Sequence, residues 1–115
     1  EKLAHMLLQK GTLDGIQILK SETVEMMAGK GISHKSEMIP GVYWGLGMAV
    51  VDKPQTVHLS RSRGSFGWSG AFGTHFFVDP VNDLEMVLGI NRSNIGGAAS
   101  VVSFAIEDAV RETFL

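Results

Sequence analysis

The sequence predicts an α+β fold: an antiparallel β-sheet with packed N- and C-terminal helices. Three observations carry that prediction. Apolar residues recur at helical spacing at both ends of the chain, over residues 1–10 and 98–114. Phe76 and Val78 alternate up to Asp79-Pro80, and Leu84, Met86, Leu88 and Ile90 alternate after it, which is the pattern of a hairpin. The elements run helix, helix, several strands, helix, an order that suits an antiparallel sheet with helices on a face.

Taken in order, residues 1–10 read as a helix whose face is Leu3, Met6 and Leu7, with Ala4 and Leu8 beside them. Gly11 stops it. Leu13-Asp14-Gly15-Ile16 is a tight turn. Ser21 suits an N-cap and Glu22 the first turn of a helix over 22–28, with Val24, Met27 and Ala28 inward. From Gly29 to Trp44 periodicity is lost among Gly29, Gly31, Pro40 and Gly41, and a long surface loop is expected. Leu46, Met48 and Val50 predict a strand over 45–51. A turn at 52–55 and a short strand over 56–59 follow. The hairpin is placed at 73–79 and 84–91. The last helix has a stripe of Val102, Ala105, Ile106, Ala109 and Val110, with Glu107, Asp108, Arg111 and Glu112 largely off it.

The bulk numbers bound the function. A chain of 115 residues is one domain or a piece of one. A net charge of −2 gives no basic footprint for nucleic acid. No apolar run reaches the ~20 residues of a membrane-spanning helix. With no cysteine, thiol chemistry is excluded, and the compartment is left open. The four histidines, His5, His34, His58 and His75, show no ligand-type spacing, so neither a metal nor another cofactor is expected. Glu1 opens the chain without an initiator Met, which reads as a processed or excised piece.

The most informative stretch is Phe66-Gly67-Trp68-Ser69-Gly70-Ala71-Phe72-Gly73-Thr74-His75. Glycines stand at every third position, so either the backbone is a working surface or this is a twisted core strand. Gly67-Trp68-Ser69-Gly70-Ala71 imitates a nucleophile elbow. That motif needs a helix after the turn, and here a strand follows. By strand alternation His75 points away from Phe76. No nucleophile is paired with a recognisable base in the sequence. Asp79 and Asp83 flank a turn, where Asp is favoured for backbone reasons.

Several pieces, in this order and spacing, resemble the serine β-lactamase/penicillin-binding-protein-like superfamily, on its class C β-lactamase and family VIII esterase branch. They are Leu3-Ala4-His5-Met6-Leu7-Leu8 with Gly11, Leu13, Asp14 and Gly15; Ile18-Leu19-Lys20-Ser21-Glu22-Thr23-Val24; Tyr43-Trp44-Gly45-Leu46-Gly47; and Asp79-Pro80 with Asp83-Leu84. The resemblance covers nearly the whole chain and implies the C-terminal segment of a β-lactamase/transpeptidase-like domain, residues 1–115. The family's Ser-x-x-Lys pair and its Tyr or Ser motif would lie upstream of Glu1. Its Lys-Thr-Gly strand maps onto Trp68, Ser69 and Gly70, which the resemblance makes substrate-binding, and the Ala71 N–H becomes an oxyanion-hole donor.

Trp68 departs from the family's lysine, which favours an ester or amide over a β-lactam substrate. The resemblance thus implies an acyl-enzyme hydrolase, inactive as this segment alone. The alternatives are a non-catalytic penicillin-binding-like or partner-binding module, or a hydrolase using Ser69. A missing N-terminal part would leave apolar surface beside Phe66 and Trp68 and promote self-association or partner binding.

Overall fold

The structure is a computed structural model and describes residues 1–56, 59–97 and 100–115. Along the chain run α1 (Lys2–Leu8), β1 (Thr12–Leu13), β2 (Ile16–Gln17), α2 (Ser21–Met27), β3 (Glu37–Ile39), β4 (Val42–Trp44), β5 (Ala49–Val51), β6 (Phe66–Ser69), β7 (His75–Asp79), β8 (Leu84–Leu88) and α3 (Val101–Phe114). Strands β3 to β8 form one six-stranded sheet in sequence order, each antiparallel to the next. Strands β1 and β2 form a separate small hairpin. The α+β class and the antiparallel sheet expected from the sequence are present.

Residues paired across neighbouring strands share a face. On one face Tyr43, Val50, Phe66 and Val78 meet Ala4, Met6 and Leu7 of α1 and Val24 of α2. On the other, Val42, Ala49, Val51 and Leu59 pack with Phe104 of α3. The sheet is therefore sandwiched, with α1 and α2 on one side and α3 on the other.

Local chemistry explains the helix ends. After α1, Lys10 turns left-handed with φ 53°. Gly11 N–H bonds to Met6 O at 2.8 Å and Lys10 N–H to Leu7 O at 3.1 Å, the paired bonds of a Schellman stop. Ser100 caps α3 through a reciprocal pair with Ser103, satisfying two donors that the first turn would leave orphaned.

Several expectations are corrected. Ser21 is the first helical residue of α2 and Lys20 its N-cap, with no side-chain cap bond. The expected loop over 29–44 holds the hairpin β3–β4, turned at Gly41 with φ +80°, so the missing periodicity reflects very short strands. The strand expected over 45–51 is regular only from Ala49, because Gly45 N–H bonds to Met48 O at 2.7 Å and folds the segment into a turn. Thr56 lies in a 3-10 turn over Pro54–Thr56; the rest of the strand expected there includes Val57 and His58, which lie outside the described residues.

The β7–β8 hairpin is shorter than the alternation suggested, at His75–Asp79 and Leu84–Leu88. Its turn is held by Asp79, whose carboxylate accepts from the N–H groups of Ser62 and Val81 at 2.9 and 3.1 Å. Phe66 of β6 is 1% accessible and belongs to the core shared with α1, whereas Trp68 is 40% accessible.

The largest correction concerns α3. Its inward residues are Ser103 and Glu107, with Phe104, Ile106 and Val110 half-buried, whereas Val102, Ala105 and Ala109 are exposed. The helix is rotated from its most apolar stripe, and the residue expected on the solvent side, Glu107, is 2% accessible.

Candidate active site

The site is built on the β6–β7 hairpin. Register pairs Gly67 with Phe77, Trp68 with Phe76 and Ser69 with His75. Residues 70–74 form the connection, closed by Gly70 N–H to Thr74 O at 2.8 Å and Gly73 N–H to Gly70 O at 3.1 Å. Gly73 has φ +83°, and a Cβ there would meet Ile95 at 2.7 Å. Glycine is thus required twice over, by backbone hand and by space. Gly67 is required for a different reason. A Cβ on it would lie 2.1 Å from Phe76 O, so the close approach that the glycine signals comes from β7 itself.

At the tip of this hairpin Ala71 and Phe72 are exposed. Among the described residues no backbone carbonyl accepts from the Ala71 N–H. Trp68 is 40% accessible, and its ring lies 4.6 Å from that of Trp44, tilted by 37°. Their tilted contact gives the strand end a broad aromatic wall. Gly70 has Thr74 Oγ1 at 2.4 Å from where its Cβ would be, which keeps the residue before Ala71 bare.

Ser69 turns the other way, into the layer between the sheet and α3. Its Oγ lies 2.6 Å from His75 Nδ1. His75 Nε2 lies 2.9 Å from Glu107 Oε1, and Arg61 Nε donates to Glu107 Oε2 at 3.0 Å. Ser69, His75 and Glu107 are 6%, 5% and 2% accessible. Arg61 also covers the Phe77 ring, 5.2 Å from its centroid. Burial lowers the guanidinium pKa of Arg61 from its ordinary value, and the charge and hydrogen bond of Glu107 oppose that.

A carboxylate is an acceptor only, so Nε2 of His75 is the donor to Glu107. In a neutral ring Nδ1 then accepts from the Ser69 hydroxyl. A serine, a base and an orienting carboxylate are thereby joined, although the sequence reading found no such pairing. Ser69 and His75 were singled out there; Glu107 and Arg61 were missed. The signal that could have found Glu107 is the Glu107-Asp108 pair, which interrupts an otherwise apolar run from Phe104 to Val110.

The space beside Ser69 is small. A cavity of about 20 Å³ touches Gly67, Trp68, Ser69, His75 and Arg61, with apolar side chains of β3, β4 and β5 behind it. That volume suits one water, not a substrate. A larger cavity, about 490 Å³, lies elsewhere, against Pro54, Arg61, Asn82 and Arg111. Among the described residues no group of three or more His, Cys, Asp or Glu side chains is arranged to hold a metal ion.

No protein-family model matches the chain. Two curated proteins of Mycobacterium tuberculosis are each 30% identical to it over 97 residues: Protein Rv1367c of strain ATCC 25618 / H37Rv and uncharacterized protein MT1414 of strain CDC 1551 / Oshkosh. The match takes in 75% of this chain and 24% of each relative, so the chain spans about a quarter of their length. Among solved structures, EstCE1, a hydrolase with promiscuous acyltransferase activity, superimposes with a TM-score of 0.78 at 26% identity. The superposition takes in 95% of this chain and 28% of EstCE1. The chain shares the fold of the corresponding part of EstCE1 over nearly all of its length.

Proposed function

We propose that this chain is the C-terminal segment of a serine hydrolase of the β-lactamase/penicillin-binding-protein-like superfamily. The whole protein cleaves small esters or amides through an acyl-enzyme, with its nucleophile on a Ser-x-x-Lys motif upstream of Glu1. The observation that carries the reading is the match to the EstCE1 hydrolase over 95% of the chain, with the hairpin tip at Ala71 exposed.

In this reading Trp68, Ser69 and Gly70 stand where the family has Lys-Thr-Gly. The Ala71 N–H donates to the oxyanion as the carbonyl becomes tetrahedral, a contribution worth about 3–4 kcal/mol in comparable sites. Trp68 offers a flat apolar face and one N–H in place of a cation, which favours a neutral ester or amide over a β-lactam carboxylate.

The test is labelling with a fluorophosphonate probe, read by intact mass. The protein from the full reading frame is expected to gain one adduct, and the 115-residue chain none. An adduct on the 115-residue chain would overturn the assignment of the nucleophile.

One observation favours a second reading, in which Ser69 is itself the nucleophile with His75 as base: the Ser69–His75–Glu107 hydrogen-bond chain. Against it, the Gly70 N–H that would complete an oxyanion hole beside Ser69 is committed to Thr74 O. Ser69→Ala separates the two, since only the second reading predicts loss of all labelling.

A further inference from the structure

We infer that Ser69, His75 and Glu107 are positioning residues: they fix the hairpin tip so that the Ala71 N–H meets the substrate carbonyl. The inference rests on the proposed hydrolase reading and concerns what holds its oxyanion-hole donor in place.

The argument starts from where the network sits. Ser69 and His75 are the directly opposed pair that closes β6 and β7, immediately outside the connection that carries Ala71. Only Gly70 stands between Ser69 and Ala71 along the chain. A hairpin tip held only by backbone bonds has freedom to twist about its strands. Here the closing pair is bonded side chain to side chain at 2.6 Å and then tied to α3 through Glu107 at 2.9 Å. From its far side the tip is pinned by Ile95 against the bare α-carbon of Gly73.

The electrostatics set the direction of the hydrogen bonds. Arg61 and Glu107 are both buried and of opposite charge, with side-chain accessibilities of 11% and 2%. Their pairing gives each a partner in the interior, 3.0 Å apart. Glu107 then fixes the Nε2–H tautomer of His75, and the tautomer fixes the Ser69 hydroxyl inward. Other charged groups packed around this layer have partners of their own. Asp79 accepts from Ser62 N–H and Asn82, and Asp108 accepts from Ser60. The carboxylate of Glu107 is shared only by His75 and Arg61 among the described residues.

The geometry also says why these residues do not carry the chemistry. The hydroxyl that would attack is 6% accessible with its residue, and the adjoining cavity of about 20 Å³ has no room for an acyl group. A serine held this way transmits position. A displacement of about 1 Å at a reacting centre can cost on the order of 10²-fold in rate, so a small rotation of the tip is enough to matter.

The test uses the full-length protein and a matched pair of substrates, an aryl ester and its thionoester. Sulfur accepts a backbone N–H hydrogen bond poorly, so the ratio of the two kcat/KM values reports how well the oxyanion donors are aimed. That ratio does not depend on the folded fraction. Ser69→Ala is expected to lower kcat for the ester by about 10–10²-fold with a smaller change in KM, and to shrink the ester-to-thionoester ratio roughly tenfold. Ser69→Thr, which restores the hydroxyl, is expected to recover most of it, and His75→Gln to repeat the loss. Fluorophosphonate labelling of Ser69→Ala is expected to persist at a reduced rate. If labelling persists and the ratio is unchanged, the positioning role is wrong and the hydrolase reading stands. If folded Ser69→Ala takes no label while the wild type does, Ser69 is the nucleophile and the inference falls. If the wild type neither labels nor turns over the ester, the hydrolase reading itself fails.

Discussion

The two faces of the sheet are built by different physics. Toward α1 and α2 the contact is largely apolar: Ala4, Leu7, Phe66 and Val78 are 1%, 2%, 1% and 0% accessible and pack in one hydrophobic cluster. Toward α3 an apolar end gives way to Ser69, His75, Glu107, Arg61 and Asp79, all bonded to one another or to backbone. Apolar burial is non-directional and grows with area. A buried polar network stabilises only when every member is satisfied, and losing one member exposes the others to the full cost of burial. The first face is a cushion; the second holds a hairpin at one angle.

That contrast can be broken most forcefully at Glu107. Replacing it with Ala leaves Arg61 buried without its counter-ion, and a loss of about 3–5 kcal/mol in unfolding free energy is expected from denaturant titration. The double replacement Arg61→Met with Glu107→Leu should recover most of that loss, because the uncompensated charge is gone. A double variant as unstable as Glu107→Ala would show that the ion pair was not the source.

On the opposite face Leu7→Ala should cost about 2–5 kcal/mol through the cavity it opens against the sheet. Its effect should be repaired by any larger apolar residue of similar volume, whereas no apolar residue at position 107 should repair Glu107 alone. Comparable recovery at both sites would erase the distinction between the faces.

A finer probe is Ser69→Ala. It leaves His75 Nδ1 buried without its partner, with an expected loss of about 1–3 kcal/mol in the same titration. A loss near zero would mean that water fills the 20 Å³ cavity and takes over the bond.

The smallest effect lies at the surface. Hydrogen bonds from Lys35 first, and then from Arg63, hold the Asp52 carboxyl below its ordinary pKa. With the folded pKa depressed, this contribution is present above the unfolded carboxylate pKa of about 3.9 and is lost as pH falls through the lower folded value. Its partners are exposed, with Lys35 and Arg63 side chains 44% and 74% accessible, so screening keeps it small. Asp52→Asn is expected to cost less than about 1 kcal/mol at pH 7 and to flatten the acid arm of the stability profile. An unchanged acid arm would remove this carboxylate from the titration.

What the sequence determined by itself was everything that repeats locally. Helical spacing set α1 and α2, alternation set the β7–β8 hairpin, and Lys10-Gly11 and Asp79-Pro80 set where the chain turns. These signals lie within a few residues of one another, so they need no knowledge of the rest of the chain. The strands β3 and β4 escaped because three residues are too few to show a period. The importance of the Trp68-Ser69-Gly70 stretch was visible, but the direction in which Ser69 faces was not.

That direction, and the identity of its partners, only the tertiary structure decided. Glu107 is 32 residues from His75 and 46 from Arg61, and its helix has a more apolar stripe than the one it buries. A sequence scored for hydrophobicity turns Val102, Ala105 and Ala109 inward. The folded chain turns Ser103 and Glu107 inward instead, because a buried carboxylate meeting both a guanidinium and an imidazole is satisfied there. Such an arrangement exists only once α3 lies across β7, and no local pattern encodes it.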